Sequence, residues 1–203
     1  MRWTGLVAGT LVVLCAALAP ARAEGLIYDC GTAVTPLDKM ICNDDNLAFL
    51  NLTLKENFEA AVASLNVVTA NDKRLKALQE RQKAWKTKRD ACATASDKKA
   101  CILDVYHTRI AELQARYLLI KSGDPKFYEC NDNPDNEVVV TFFKGAKPAV
   151  RLERGEKVAV AVITTSGTGS KYVSDDGVLF WVKGNDATMD WPPAKSLTCA
   201  LKK

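Results

Sequence analysis

The residue pattern of the chain changes at Ser122-Gly123-Asp124-Pro125, and this change constrains the fold more than any other feature. Glycine and proline end a helical pattern at this point. Between the N-terminal leader and this point the sequence has helical periodicity and almost no glycine, whereas glycines and β-branched residues dominate the C-terminal part of the chain. The sequence therefore predicts an α + β chain with two domains, the first spanning 24–122 and the second 126–203.

The first 23 residues have the pattern of a secretion signal. Arg2 provides a positive start, an apolar run extends from Leu6 to Leu18, and Ala21-Arg22-Ala23 offers a small-x-small cleavage site. The apolar run is too short to predict a membrane span. We therefore expect cleavage after Ala23 and a periplasmic location. Leu14 is large for the residue before a lipidated Cys15, which argues against a lipoprotein.

Six further cysteines lie beyond the leader, and an even number in an exported chain is typical of a disulfide framework. None has C-x-x-C spacing, and His107 is the only histidine, so we predict neither a metal site nor a cofactor. The predicted fold places no serine or cysteine nucleophile near His107, which is interpreted as a surface or half-buried helix residue. No acid pair or triad is placed on one site, so the chain is not expected to be an enzyme. The six cysteines are Cys30, Cys42, Cys92, Cys101, Cys130 and Cys199.

Periodicity in the first domain predicts three helices, antiparallel because their connections are short. The first begins at Thr35-Pro36-Leu37-Asp38, where Thr35 can cap the helix, and its apolar pattern continues to Leu65. The second comes after Thr69-Ala70-Asn71, and the third begins near Ser96-Asp97. The stripe on the second helix is interpreted as a core face; it consists of Leu75, Leu78, Gln82, Trp85, Arg89 and Cys92.

This arrangement gathers the first four cysteines at one pole of the helical domain. Four cysteines allow three connectivities. Because cross-helix bonds can bridge facing side chains, we favour Cys42–Cys92 with Cys30–Cys101. The alternative is Cys30–Cys42 with Cys92–Cys101.

The second domain contains eight short strands separated by turn residues, which predicts a small antiparallel β-barrel. A bond between Cys130 and Cys199 would tie the two ends of the sheet together and stabilise a thin core. The predicted strands are Lys126–Asn131, Glu137–Lys144, Ala149–Glu153, Lys157–Thr165, Lys171–Ser174, Val178–Lys183, Ala187–Trp191 and Leu197–Leu201.

Two segments of the second domain have the character of a contact surface. The turn from Ser166 to Ser170 contains only glycine and hydroxyl residues, and such a loop can enter a concave site that excludes bulky side chains. In the second segment, alternation places Phe180 and Val182 on one face of a strand and Trp181 and Lys183 on the other. We expect an acidic rim around Lys183, formed by Asp175, Asp176, Asp186 and Asp190.

These segments resemble the two signatures of the MliC/PliC inhibitors of c-type lysozyme. Ser166 to Tyr172 is similar to their Ser-Gly-x-x-Tyr loop, and Phe180 to Ala187 is similar to their Phe-Trp-x-Lys-Gly-x-x-Ala stretch. Tyr128-x-Cys130 and Cys199 match the terminal cysteines of the family, so the resemblance covers about 126–203. One position departs from the pattern, because the loop serine of the family falls on Thr168.

The first domain resembles, more loosely, the LprI-type N-terminal domain. Proteins of this type have also been linked to lysozyme inhibition. The residues that carry the resemblance are Cys30, Ile41-Cys42, Gln82-x-x-Trp85, Arg89-x-x-Cys92, Cys101 to Tyr106 and Arg109-Ile110.

The resemblance implies a protein inhibitor of c-type lysozyme that inserts the Thr168 and Lys183 loops into the lysozyme active-site cleft, protecting bacterial peptidoglycan from the host. The alternative is a periplasmic cell-envelope binding or scaffold protein without inhibitory activity. A nucleic-acid partner is not expected, since the net charge falls from +4 to +2 when Arg2 and Arg22 are removed with the leader. The implied lysozyme-binding residues are Ser166, Thr168, Ser170, Tyr172, Trp181 and Lys183.

Overall fold

The computed structural model describes residues 30–67, 69 and 72–202. Cys15, the predicted cleavage site at Ala23, and Ala70-Asn71 before the second predicted helix lie outside the described residues. The described helices are α1 (Pro36–Asn43), α2 (Asp45–Ser64), α3 (Lys73–Ala91) and α4 (Lys98–Arg116). The strands are β1 (Lys126–Cys130), β2 (Asn133–Lys144), β3 (Pro148–Arg154), β4 (Lys157–Thr164), β5 (Ser170–Val173), β6 (Leu179–Lys183), β7 (Asp186–Trp191) and β8 (Ala194–Leu201).

The helical domain differs from the three-helix prediction in one respect, because the first predicted helix is interrupted at Asp44. This residue has an extended backbone, and its carboxylate accepts hydrogen bonds from the N–H groups of Asn46 (3.1 Å) and Leu47 (3.2 Å). An aspartate with these bonds is a helix N-cap. It therefore ends α1 and begins α2, so the described residues contain four α-helices. The predicted cap at Thr35 is confirmed, since its hydroxyl accepts the Asp38 N–H at 3.1 Å.

The predicted core face of α3 is confirmed. Trp85 donates its indole N–H to the Val105 carbonyl at 3.1 Å and meets the ring of Tyr106 edge-on. Arg89 is only 3 % exposed and is paired with Asp90 and Asp38, as a buried charge must be. His107 of α4 is half-buried. None of the helices in the described part of the chain has the length and apolar character that crossing a bilayer requires.

The disulfides of the helical domain join Cys30 to Cys42 and Cys92 to Cys101, so the favoured cross-helix pairing was wrong and the alternative is correct. The physical reason is the break at Asp44. Cys42 belongs to the short helix α1, which lies next to the preceding segment. Cys92 comes directly after α3, and Cys101 lies in the first turn of α4. Each bond therefore joins two residues that are close in sequence, with Cα atoms 5.6 Å apart in both cases.

The second domain is a closed antiparallel barrel in which each strand pairs with its neighbour in sequence and β1 pairs with β8. This confirms the predicted eight-stranded barrel. Cys130 and Cys199 are directly opposite each other at the β1–β8 seam and form the predicted disulfide. Phe180 is fully buried inside the barrel, where its ring packs against those of Tyr128 and Phe142.

The first hairpin turn lies two residues earlier than predicted. Asn133-Pro134-Asp135 was predicted to form the turn, but these residues belong to β2. The turn is made by Asn131 and Asp132, whose φ angles are +55° and +50°. Two successive residues with positive φ are typical of the tight turns that match the twist of a hairpin, and asparagine and aspartate adopt this conformation readily.

The helical domain packs against the outside of the barrel. Ala111 and Ala115 of α4 are buried against an apolar patch on β2, β3 and β4. Because these two side chains are small, α4 can pack close to the patch. Ion pairs extend this contact: Arg81 with Asp176 at 2.7 Å, Lys88 with Asp175 at 2.6 Å and Lys147 with Asp104 at 2.5 Å. The apolar patch consists of Phe143, Ala149, Val160 and Val162.

Candidate functional site

Two connections lie side by side at one end of the barrel: the loop 165–169 between β4 and β5, and the turn 184–185 between β6 and β7. They are neighbours because β5 pairs with β6, so that Ser170 is opposite Val182 and Lys171 is opposite Trp181. Among the residues that the structure describes, no hydrogen bond or ion pair joins the helices to loop 165–169 or to Lys183. This end of the barrel is the candidate site.

Trp181 holds the two connections together. Its indole N–H donates a hydrogen bond of 2.8 Å to the backbone carbonyl of Thr168, and the Ser166 hydroxyl donates to the same carbonyl at 2.8 Å. A carbonyl oxygen has two lone pairs and can accept both bonds. These two bonds hold the loop at the Thr168 carbonyl.

Lys183 lies over the indole ring of Trp181, with the ammonium nitrogen 3.7 Å from the ring centroid. This is a cation–π contact of favourable geometry. Lys171 approaches the same ring less closely, at 5.8 Å. The side chain of Lys183 is exposed, and within the described residues no carboxylate forms an ion pair with it. The site thus presents an ammonium group that is held in place but not neutralised. The predicted alternation is confirmed, because Phe180 lies in the barrel core while Trp181 and Lys183 face outward.

The close approach of the two connections requires glycine at position 169. Gly169 has φ +67°, a left-handed conformation that other residues rarely adopt. A Cβ atom there would lie 2.5 Å from the Val182 carbonyl oxygen and 2.7 Å from Cγ of Lys183. Any side chain would push the loop away from β6. The Gly-x-Gly spacing was visible in the sequence, but the contact that demands it was not.

Tyr172 is separated from the other predicted site residues. Ser166, Thr168, Ser170, Trp181 and Lys183 line the end of the barrel, whereas Tyr172 is buried inside it, 6 % exposed and edge-on to Phe142. Burial raises the pKa of Tyr172 above its usual value, and a hydrogen bond with Ser170 opposes this effect. The phenol therefore stays neutral and supports the base of the loop from within.

The expected acidic rim around Lys183 was wrong. Asp175 and Asp176 belong to the β5–β6 turn at the opposite end of the barrel, where they pair with Lys88 and Arg81 of α3. Asp190 also lies toward that end and accepts the backbone N–H of Ser196 at 2.6 Å. Of the four aspartates, only Asp186 is near Lys183, as its partner across the turn. The prediction failed because residues close in sequence can lie at opposite ends of a strand. Asp175 and Asp176 precede β6, whereas Lys183 is its last residue.

The candidate site combines a loop held by Trp181, the exposed residue Thr168 and the ammonium of Lys183 on an indole ring. In the described residues, no group of three or more His, Cys, Asp or Glu side chains could hold a metal ion.

The comparison with protein families matches the barrel that carries the candidate site. Residues 128–197 match the model of a family described as "MliC: Membrane-bound lysozyme-inhibitor of c-type lysozyme", so the barrel is a domain of MliC type. This family is one of inhibitors and not of enzymes.

Over nearly its whole length the chain is similar to LprI. It is 28 % identical over 198 residues to the protein named "Lipoprotein LprI" from Mycobacterium bovis and to that from Mycobacterium tuberculosis, covering 94 % of this chain and 95 % of each relative. The helical part is thus LprI-like. Among solved structures, Pseudomonas aeruginosa MliC, crystallised in complex with hen egg white lysozyme, shares 20 % identity with a TM-score of 0.34, covering 40 % of this chain and 85 % of that one.

Proposed function

We propose that this protein inhibits c-type lysozyme by inserting loop 165–169 and the turn after Lys183 into the active-site cleft. The observation that carries the proposal is the exposed, unneutralised ammonium of Lys183, held on the Trp181 ring next to the fixed loop. Lysozymes cleave glycans with two carboxyl groups in a cleft. An ammonium that enters the cleft can pair with them, and a charge-assisted hydrogen bond contributes about 1.5–3 kcal/mol. The MliC-type sequence of the barrel supports the same partner.

Thr168 supplies the second proposed contact. Its carbonyl is occupied by Trp181 and Ser166, but no hydrogen bond within the described residues takes up its hydroxyl. The Ser166 hydroxyl is used inside the loop, and Ser170 is half-buried near Tyr172. Of the three hydroxyl groups proposed to bind lysozyme, that of Thr168 is the one available to a partner, and Ser166 and Ser170 support it.

A turbidity assay tests the proposed function directly. Lysozyme is added to a suspension of susceptible Gram-positive cells with and without this protein, and clearing of the suspension is monitored. Protection of the cells supports inhibition. Clearing at the rate of lysozyme alone indicates the alternative, a cell-envelope binding or scaffold protein. Clearing without lysozyme would show that the protein is itself a cell-wall enzyme.

Replacing Trp181 by phenylalanine is expected to weaken inhibition about 3- to 10-fold. The variant keeps a ring beneath Lys183 but loses the N–H that holds the Thr168 carbonyl, and one such bond contributes roughly 0.5–1.5 kcal/mol. The measurement is the inhibition constant. Trp191→Phe is the matched control, because Trp191 lies in the same barrel away from the site. Equal inhibition by Trp181→Phe and wild type would show that the bond between the loops is not needed.

Thr168→Ser is expected to inhibit as well as the natural chain or better. The hydroxyl is retained, and a methyl group that could crowd a narrow cleft is removed. Thr168→Val, which keeps the shape but not the hydroxyl, is expected to inhibit less well. The two inhibition constants together separate the roles of the methyl and hydroxyl groups. A large loss with serine would mean that lysozyme uses the methyl group instead.

We further propose that the protein acts in the periplasm of a bacterium, after cleavage of its leader at Ala23, and protects peptidoglycan from host lysozyme. The even cysteine set and its three disulfides suit an oxidising compartment. The relatives are named lipoproteins and the matching family is described as membrane-bound, which goes against our expectation that Cys15 is not lipidated.

A further inference from the structure

Helix α3 carries a concentration of positive charge, and the barrel neutralises only two of its basic residues. Eight basic and two acidic residues lie in Lys73–Ala91, a net charge of +6, whereas the whole chain carries only +4. Two of the basic residues, Arg81 and Lys88, lie two turns apart on the side that meets the barrel, where Asp176 and Asp175 neutralise them. A third, Arg89, is buried and paired with Asp90 and Asp38.

A different side of α3 presents a row of exposed lysines, which we call the lysine row: Lys73, Lys76, Lys83 and Lys86. The spacings of three, seven and three residues keep these side chains on one face over about 20 Å of helix. Within the described residues, the only ion pair of the row joins Lys83 to Glu80, both of them exposed. Unpaired ammonium groups raise the positive potential at this face, and such a potential attracts anionic partners.

The chemistry of the row narrows the class of partner. Its neighbours on the same face are Gln79, Glu80, Thr87 and Asp90, so the face has no aromatic residue on which a sugar or a base could stack. It also has no apolar centre of the kind that protein interfaces bury. Lysine is a compact, flexible point charge and does not read one fixed geometry. Such a row suits a flat surface of many phosphates, and therefore anionic lipid headgroups.

We propose that the lysine row docks the protein on an anionic membrane surface. The contact is electrostatic and peripheral, because the row has no apolar residues to insert. It would hold α3 against the headgroups while the candidate site at the end of the barrel is left to meet its partner. This proposal does not depend on lysozyme inhibition, since membrane binding is measured without lysozyme.

The test is co-sedimentation of the chain without its first 23 residues with vesicles. Vesicles of phosphatidylcholine mixed with an equal amount of phosphatidylglycerol are expected to bind it, vesicles of phosphatidylcholine alone are not, and a tenfold increase in salt is expected to release it. A variant with all four lysines of the row replaced by glutamine should partition at least about 50-fold less, since each lysine near such a surface contributes roughly a factor of five. Glutamine and lysine have similar helix propensity, so α3 should remain folded.

Two further variants decide the interpretation. Replacing the row with arginines keeps the charge and should preserve binding. Replacing four exposed lysines elsewhere with glutamine, Lys39, Lys55, Lys121 and Lys157, removes the same net charge and should reduce binding far less. Equal binding to neutral vesicles, an equal loss in the second variant, or equally tight binding to soluble polyglutamate would overturn the proposal.

Discussion

Lys183→Ala is expected to weaken the inhibition of c-type lysozyme by roughly 30-fold or more while leaving the fold unchanged. Removing one partner of a buried, hydrogen-bonded charge pair costs about 2–5 kcal/mol, because the other charge is left without a partner in a dry site. In the free protein, by contrast, Lys183 is exposed and contacts the outer face of Trp181. Its truncation therefore removes no part of the barrel core. The measurements are the inhibition constant and the urea unfolding midpoint.

The matched control is Lys157→Ala. Lys157 is an exposed lysine of the same barrel that begins β4 at the end opposite the candidate site. Lys157→Ala removes one positive charge, as Lys183→Ala does. Any difference in inhibition between the two variants therefore reflects the position of the lysine and not the net charge. If purified, folded Lys183→Ala inhibits as strongly as the natural chain, the proposed mechanism of insertion is wrong.

Replacing both Cys130 and Cys199 by alanine is expected to lower the free energy of unfolding of the barrel by roughly 4 kcal/mol. The bond joins residues 69 positions apart, and a cross-link stabilises more when it restricts a longer loop in the unfolded chain. It also lies at the β1–β8 seam, the one place where the barrel pairs strands distant in sequence. Urea denaturation monitored by near-ultraviolet circular dichroism gives the value.

The corresponding alanine variant of Cys92 and Cys101 serves as the comparison. This bond spans only 9 residues, so the same reasoning gives a loss of roughly 2.5–3 kcal/mol, in the helical domain. A larger loss from the short loop than from the long one would show that restriction of the unfolded chain is not the main source of stability here.

Most of the barrel was predictable because its signal is local. Alternation and turn residues located eight strands, and Cys130 and Cys199 fell at the two ends that closure brings together. The first turn was misplaced because two neighbouring segments both have turn-forming residues. The Asn133-Pro134-Asp135 segment suggested a turn, but Asn131 and Asp132 adopt positive φ and form it. In that case two local signals competed, and only the pairing of β1 with β2 decided between them.

The errors in the helical domain, which are the helix count and the disulfide pairing, both came from one residue, Asp44. Apolar periodicity continues through Asp44, so the break between α1 and α2 cannot be read from the hydrophobic pattern. Once α1 is a separate short helix, Cys42 can reach Cys30, and the preference for a cross-helix bond fails.

The candidate site was predictable in part. Hairpin connectivity placed Thr168 and Lys183 at the same end of the barrel, which is a consequence of strand order alone. The bond from the Trp181 indole to the Thr168 carbonyl, and the tight fit around Gly169, depend on atomic positions that no sequence pattern specifies.

The closed barrel also limits the ways in which this domain can recognise a partner. Because β1 pairs with β8, none of the eight strands has a free edge. The barrel therefore cannot bind a partner by strand addition, in which the partner's backbone extends a sheet. For the same reason it cannot form the edge-to-edge contacts that lead to aggregates. Recognition must rely on side chains and loops that project from the ends or the wall. Evolution can then retarget the domain by changing a few projecting residues without altering the strands that carry them.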